Sequence, residues 1–246
     1  MTGRISVLSP TGVWGRMGLA RHNWPGRFTV LLFTILLMLV SQPMFSRHDY
    51  AQNIATAAIS LVLLAALYSV RSARFYFTVA LVLFVPSFGT RLALLFTSSP
   101  QIEAVGAITS CLFLAVTVIA LVTRLFTVKS VTLDTISAAI CAYLMTGIAF
   151  AYAFAVVELR NPGSFSAVLF QRPSSNIAPL MASLHNFIYY SFVCLTTTGF
   201  GDIAPMSEGA RSLSVMESVF GQLYMAILIA RLVSLQVAQS MMKERE

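Results

Sequence analysis

The run Thr196-Thr197-Thr198-Gly199-Phe200-Gly201-Asp202 decides how this chain is read. It lies between two long apolar segments. Backbone at membrane depth departs from helix only where it is buried in protein or lines a water-filled cavity. Glycine adopts backbone angles that other residues avoid, so Gly199 and Gly201 let successive carbonyls face the same way. A ring of such carbonyls can replace the water shell of an ion. A threonine at the inner end adds a hydroxyl to that set. The plainer alternative is a tight Gly-Phe-Gly-Asp turn between two helices.

Composition agrees with a membrane setting. Of 246 residues, 57% are hydrophobic and 10% charged, against about 25% charged in soluble domains. Mean hydropathy is +0.81. Cys111, Cys141 and Cys194 all fall in apolar stretches and read as buried thiols rather than disulfides or a metal site. The net charge of +7 sits in loops and tails, which argues for membrane topology and against a nucleic-acid partner.

Six segments approach the roughly 20 apolar residues that a crossing helix needs: 28–45, 51–70, 75–96, 104–123, 133–157 and 213–238. Pro43 should end or kink the first, and Pro86 should kink the third. Residues 1–27, with Arg4, Arg16, Arg21 and Arg27, read as a retained cytoplasmic tail, because no apolar core with a cleavage site follows. With that tail inside, Arg71, Arg74, Arg124, Lys129, Lys243 and Arg245 also fall inside. Arg47, Arg160, Arg172 and Arg211 fall outside, with Asp49, Glu103, Glu158, Asp202 and Glu208. The excess of inner cations predicts six crossings with both termini cytoplasmic, and sets the glycine-bearing run on the outer side.

Residues 158–183 form a polar outer loop, or turret. The apolar stretch 184–195, about three turns, is too short to cross and predicts a re-entrant helix with Ser183 as its N-cap. The negative end of its dipole would favour a cation at the membrane centre. Pro205 stops the loop, and Ser207 and Glu208 open a last helix reaching about Met241.

The stretch from Tyr189 to Pro205 resembles the pore helix and signature sequence of potassium channels. Glu217-Ser218-Val219-Phe220-Gly221-Gln222-Leu223-Tyr224 resembles their inner helix, with Gly221 at the hinge position. The resemblance spans roughly 133–241. It implies an all-α membrane protein with six transmembrane helices and a re-entrant pore helix and filter loop between the fifth and sixth. It further implies a homotetramer in which three more copies complete the pore, with membrane lipid around it. Carbonyls of Thr197, Thr198, Gly199, Phe200 and Gly201, with the Thr197 hydroxyl, would hold K+ as the permeant ion; no other cofactor is expected. Thr196, Val193, Tyr190, Tyr189 and Asp202 would support the filter, with a Tyr189 hydroxyl bond to Asp202 and Gly221 as gating hinge. Three departures bear on selectivity: Phe200 replaces a more usual tyrosine, Thr198 a valine or leucine, and Val193 a buried glutamate found in some members.

Residues 28–124 read as a four-helix, sensor-like domain without gating arginines. The fourth segment has no arginine before Arg124, and the third carries only Arg91, set near Glu103. Residues 133–241 form the pore domain and 242–246 a short cytoplasmic tail, so no cytosolic ligand domain is expected. Arg211, on the same or a neighbouring chain, is the candidate partner of Glu217, and Arg231 would reach the inner interface. No metalloprotease, nucleophile or paired-carboxylate motif is present, and His22, His48 and His185 are scattered, so no enzymatic activity is expected. The resemblance points to passive K+ conduction in a plasma membrane, by compactness a bacterial inner membrane. A weakly selective cation channel and a non-conducting accessory subunit are the alternatives.

Overall fold

The computed structural model describes residues 27–45, 51–71, 73–94, 97, 99–128, 132–166 and 179–243. The terminal tails and most of the turret, with Arg47, Asp49, Lys129, Arg172, His22 and His48, lie outside the described residues. Seven α-helices follow in order among the described residues: α1 (Arg27–Phe45), α2 (Ala51–Val70), α3 (Arg74–Ala93), α4 (Pro100–Thr127), α5 (Leu133–Arg160), α6 (Pro179–Leu195) and α7 (Glu208–Lys243). Four regions are long and apolar enough to cross a membrane: Arg74–Ala93, Pro100–Thr127, Leu133–Arg160 and Glu208–Val237. The apolar runs Phe28–Val40 and Ala57–Val70 are shorter.

Two helix starts differ from expectation for one reason. α4 begins at Pro100 rather than near 104, and α6 at Pro179, so Ser183 lies within α6 instead of capping it. Proline suits the first helical position, where its missing N–H would have had no partner anyway. α3 stops at Ala93, short of 96, and continues across Pro86, while α1 ends two residues past Pro43.

α4 packs between α3 and α5, α1 packs on α2 and α5, and α6 sits on α5 with α7 behind it. α1 buries Phe28, Leu31, Ile35 and Met38, a stripe one helical turn apart facing the bundle. α7 reverses that chemistry. Its buried positions are Ala210, Ser214, Glu217 and Gly221, all small or polar, whereas Val215, Met216, Val219, Phe220, Leu223 and Ile227 are exposed. A helix with small polar residues inward and large apolar residues outward suits close packing against protein on one face and lipid or further protein on the other.

Three arginines are held by the bundle. Arg91 is buried and donates to the Tyr152 hydroxyl, its guanidinium over the Tyr152 ring. Arg124 lies over the Phe28 ring, 4.7 Å from its centre. Arg231, expected to reach the inner interface, turns back to the end of α4. Its Nε donates to the Leu125 carbonyl at 3.2 Å, and its Nη2 to the Phe126 and Val128 carbonyls at 2.6 and 3.3 Å. The last carbonyls of a helix have no internal donors, and a cation there is favoured by the dipole. Arg231 thus ties the C-terminal half of α7 to the end of α4. Arg231→Ala is expected to lower unfolding stability in detergent by about 2 kcal/mol, the scale of a hydrogen bond to a charged group. Arg231→Lys, which cannot span three carbonyls with a planar fork, should recover only part of that loss.

Candidate functional site

The loop from Thr196 to Asp202 leaves the C-terminus of α6 as a non-helical strand. Its backbone alternates. Thr197 has φ 56°, Gly199 60° and Gly201 79°, so every second residue takes the left-handed region. Alternation of this kind turns successive carbonyls toward one side. Glycine accepts it without steric cost at two of the three positions. Thr197 is the only described non-glycine residue with positive φ.

The first turn of the loop is fixed by the end of α6. The backbone N–H groups of Thr196, Thr197 and Thr198 donate to the carbonyls of Phe192, Cys194 and Val193 at 3.0, 2.9 and 3.0 Å. The Thr196 hydroxyl donates to the Phe192 carbonyl at 2.7 Å, which leaves its lone pairs for the Thr198 hydroxyl at 2.8 Å. Thr198, expected only to place a hydroxyl behind the loop, therefore adds a bond to the hinge between helix and loop. The Thr197 hydroxyl donates to the Thr196 carbonyl at 2.7 Å and accepts from Gln222 Nε2 of α7 at 3.1 Å.

Further out, the Tyr189 ring stacks on Phe200, centroids 6.4 Å apart and planes 5° from parallel. One tyrosine of α6 thus supports the ring at the centre of the loop. Tyr190 points the other way. Its hydroxyl lies 2.7 Å from Ser214 Oγ, and because Ser214 donates to the Ala210 carbonyl, Tyr190 is the donor. Its ring joins Phe154 at 5.0 Å and Phe165 at 5.3 Å, both edge-on. Phe165 in turn meets Phe187 edge-on at 5.5 Å. Val193 is buried and carries no polar contact from its side chain.

The segment after the loop is strapped by backbone. Phe165 and Pro205 form an isolated antiparallel bridge. Ser166 N–H donates to the Ala204 carbonyl at 2.9 Å, and Met206 N–H to the Ser164 carbonyl at 2.7 Å. Buried Glu158 at the end of α5 accepts from Gly163 N–H at 2.6 Å and Phe165 N–H at 3.2 Å, which fixes the turn into the strap. Arg211 donates to the Pro205 carbonyl at 3.2 Å. Within the chain it therefore holds the exit loop, and it is not the partner of Glu217. Glu217 is fully buried and faces Ser191 of α6, whose Oγ lies 2.5 Å from Glu217 Oε1 and 2.6 Å from the Gly147 carbonyl of α5.

α7 meets the end of α6 at Gly221. A Cβ there would overlap the Leu195 carbonyl oxygen and approach Leu195 Cδ1 to 3.2 Å. Close helix packing therefore needs this glycine, whatever bending it permits. Side chains add further donors to these carbonyls: Ser218 Oγ donates to Cys194 at 3.0 Å and Tyr143 OH to Leu195 at 3.3 Å. Tyr224 OH donates to the Ala139 carbonyl at 2.8 Å and stacks at 5.6 Å on Tyr143. The structure brings Tyr189, Tyr190, Val193, Thr196 to Asp202 and Gly221 into one assembly. Ser191, Ser214, Ser218 and Gln222 also belong to it, and sequence reading missed them. For Ser214, Ser218 and Gln222 the signal was a row of polar residues on an otherwise apolar last helix; Ser191 lies on α6.

Gly221→Ala should gain about 1 kcal/mol of helix propensity. Overlap with a backbone oxygen cannot be relieved by rotating a side chain, and overpacking costs about 1–3 kcal/mol. The expected net result is a destabilised α6–α7 contact, read as a lower melting temperature and faster hydrogen exchange at Thr196 to Thr198.

Residues 164–237 match a protein-family model described as "Ion channel". No curated protein matches the chain. The matched region takes in the strap, α6, the alternating loop and α7, and it supports an ion channel carried by a membrane protein.

Proposed function

We propose that the chain is the subunit of a potassium channel, and that four copies bring their loops from Thr197 to Gly201 together on one axis. The observation that carries this reading is the left-handed backbone at Thr197, Gly199 and Gly201. Carbonyls of Thr197, Thr198, Gly199, Phe200 and Gly201 then form stacked rings that replace the hydration shell of K+, with the Thr197 hydroxyl at the inner end. Adjacent rings let one ion displace the next, so conduction needs no energy source. The dipole end of α6 adds negative potential below the rings.

Several features support assembly. The loop itself is exposed in a single chain, and the outward face of α7 carries large apolar residues. One loop supplies one quarter of a ring, so the copies must be related by rotation about the conduction axis. Six crossings, cytoplasmic termini and a plasma membrane, by compactness a bacterial inner membrane, complete the proposal. α1 to α4 act as a packing shell. Arg91 is held by Tyr152 and Arg124 lies at the end of α4, so neither reads as a mobile gating charge. Gly221 would let α7 bend while it keeps contact with α6.

Phe200 favours a second reading. Its ring is 68% exposed and stacks on Tyr189 without a hydroxyl to anchor it. A looser ring would weaken discrimination and leave a monovalent cation channel on the same frame. The test is flux into liposomes holding the purified protein, followed by a reversal potential with K+ on one side and Na+ on the other. Potassium-driven, barium-blocked uptake with a reversal potential far from zero is expected. Equal permeability would establish the weakly selective form. Intact tetramers without flux would make the chain an accessory subunit and overturn conduction.

A further inference from the structure

The contact between Glu217, Ser191 and Gly147 contains one hydrogen too few if Glu217 is ionised. Ser191 Oγ lies 2.6 Å from the Gly147 carbonyl oxygen and 2.5 Å from Glu217 Oε1. A serine hydroxyl has one hydrogen. Two oxygens that only accept cannot both sit this close to Oγ, because one of them would face a lone pair with no hydrogen between. A protonated Glu217 supplies the missing hydrogen. The chain then runs Glu217 O–H to Ser191 Oγ, and Ser191 O–H to the Gly147 carbonyl, so that α7, α6 and α5 are joined in sequence.

The surroundings agree. Glu217 is 0% exposed and its Oε2 has no hydrogen-bond partner among the described residues. The titratable groups facing it are Tyr143 of α5 and Tyr190 and Cys194 of α6. All three are neutral acids, and none brings the cation that a buried carboxylate needs. On α7 itself the nearest cation in sequence, Arg211, is committed to the Pro205 carbonyl.

We infer that Glu217 is a neutral carboxylic acid that positions the filter helix, donating its proton to Ser191 and so fixing α6 between α5 and α7. This rests on the channel reading for its consequence, since Ser191 lies five residues before Thr196, but not for its chemistry. Loss of the proton places an unpaired charge against the Ser191 oxygen and the Gly147 carbonyl and breaks the chain of bonds. The intact state is therefore the low-pH state, and conduction falls as pH rises through the titration of Glu217.

Infrared difference spectra of wild type against Glu217→Gln test the protonation without any flux. A protonated carboxyl C=O band present at neutral pH in wild type and absent in E217Q is expected. Its absence overturns the inference. Ser191→Ala should shift that band to higher frequency by removing the acceptor, and it serves where E217Q does not assemble. An unshifted band overturns the pairing. Flux in liposomes tests the consequence. Wild type should lose K+ uptake several-fold from neutral to alkaline pH, while E217Q, which still donates but cannot ionise, stays level. A wild-type profile that is flat, or that E217Q reproduces, overturns the positioning role. No flux from either protein at any pH overturns the channel reading instead, and the infrared band still decides the protonation of Glu217.

Discussion

A non-helical run inside a membrane protein must find partners for its own N–H groups while leaving its carbonyls free to do something else. The rest of this structure follows from that constraint. An unmet buried N–H costs about 1–3 kcal/mol, and lipid offers no acceptor. The acceptors come from the end of α6. Helices leave their last carbonyls without internal donors, and those of Phe192, Val193 and Cys194 take the N–H groups of Thr196, Thr198 and Thr197. The helix end and the loop start each supply what the other lacks. The loop therefore leaves the helix through a Schellman-type cap, with Thr197 in the left-handed position that glycine usually fills.

That solution dictates the chemistry of α7. The remaining oxygens at the end of α6 must also be covered, and only groups that come very close can do so. Gly221 allows the approach, Ser218 donates to Cys194, and Gln222 reaches Thr197. A leucine at any of these three positions would hold the helices apart and leave carbonyls bare. The large apolar residues of α7 are consequently displaced to its outer face. On the channel reading, that face is where lipid and the other copies lie. Local hydrogen bonding at the loop and the inverted polarity of the last helix are one requirement seen at two scales.

The fold was legible where one residue pattern admits one structure. Long apolar runs gave α3, α4, α5 and α7, and the short run before Thr196 gave α6. Helix starts were misjudged where proline supplied the signal instead of a polar cap, at Pro100 and Pro179. Within the site, the alternation at Gly199 and Gly201 was readable because glycine marks backbone that others avoid. The stacking of Tyr189 on Phe200 was not readable from the pattern. The partners of Glu217 and Arg231 were not readable at all. Both are long-range choices made by helix rotation: Arg211 lies closer in sequence to Glu217 than Ser191 does, yet points to Pro205. Periodicity says which face is inward, not which groups wait there.

Thr197 shows how these requirements combine at a single position. Left-handed backbone costs a non-glycine residue about 1–2 kcal/mol, and branching at Cβ makes threonine a poor occupant. Glycine would remove that strain but would add about 0.5–1 kcal/mol of chain entropy to be lost on folding. It would also forfeit the hydroxyl bonds to Thr196 and Gln222, each worth about 1 kcal/mol. The two sides nearly cancel, so stability alone does not select threonine here. What distinguishes it is placement. Its hydroxyl is held between the Thr196 carbonyl and Gln222 of α7. A glycine would remove that tie between the loop and the last helix.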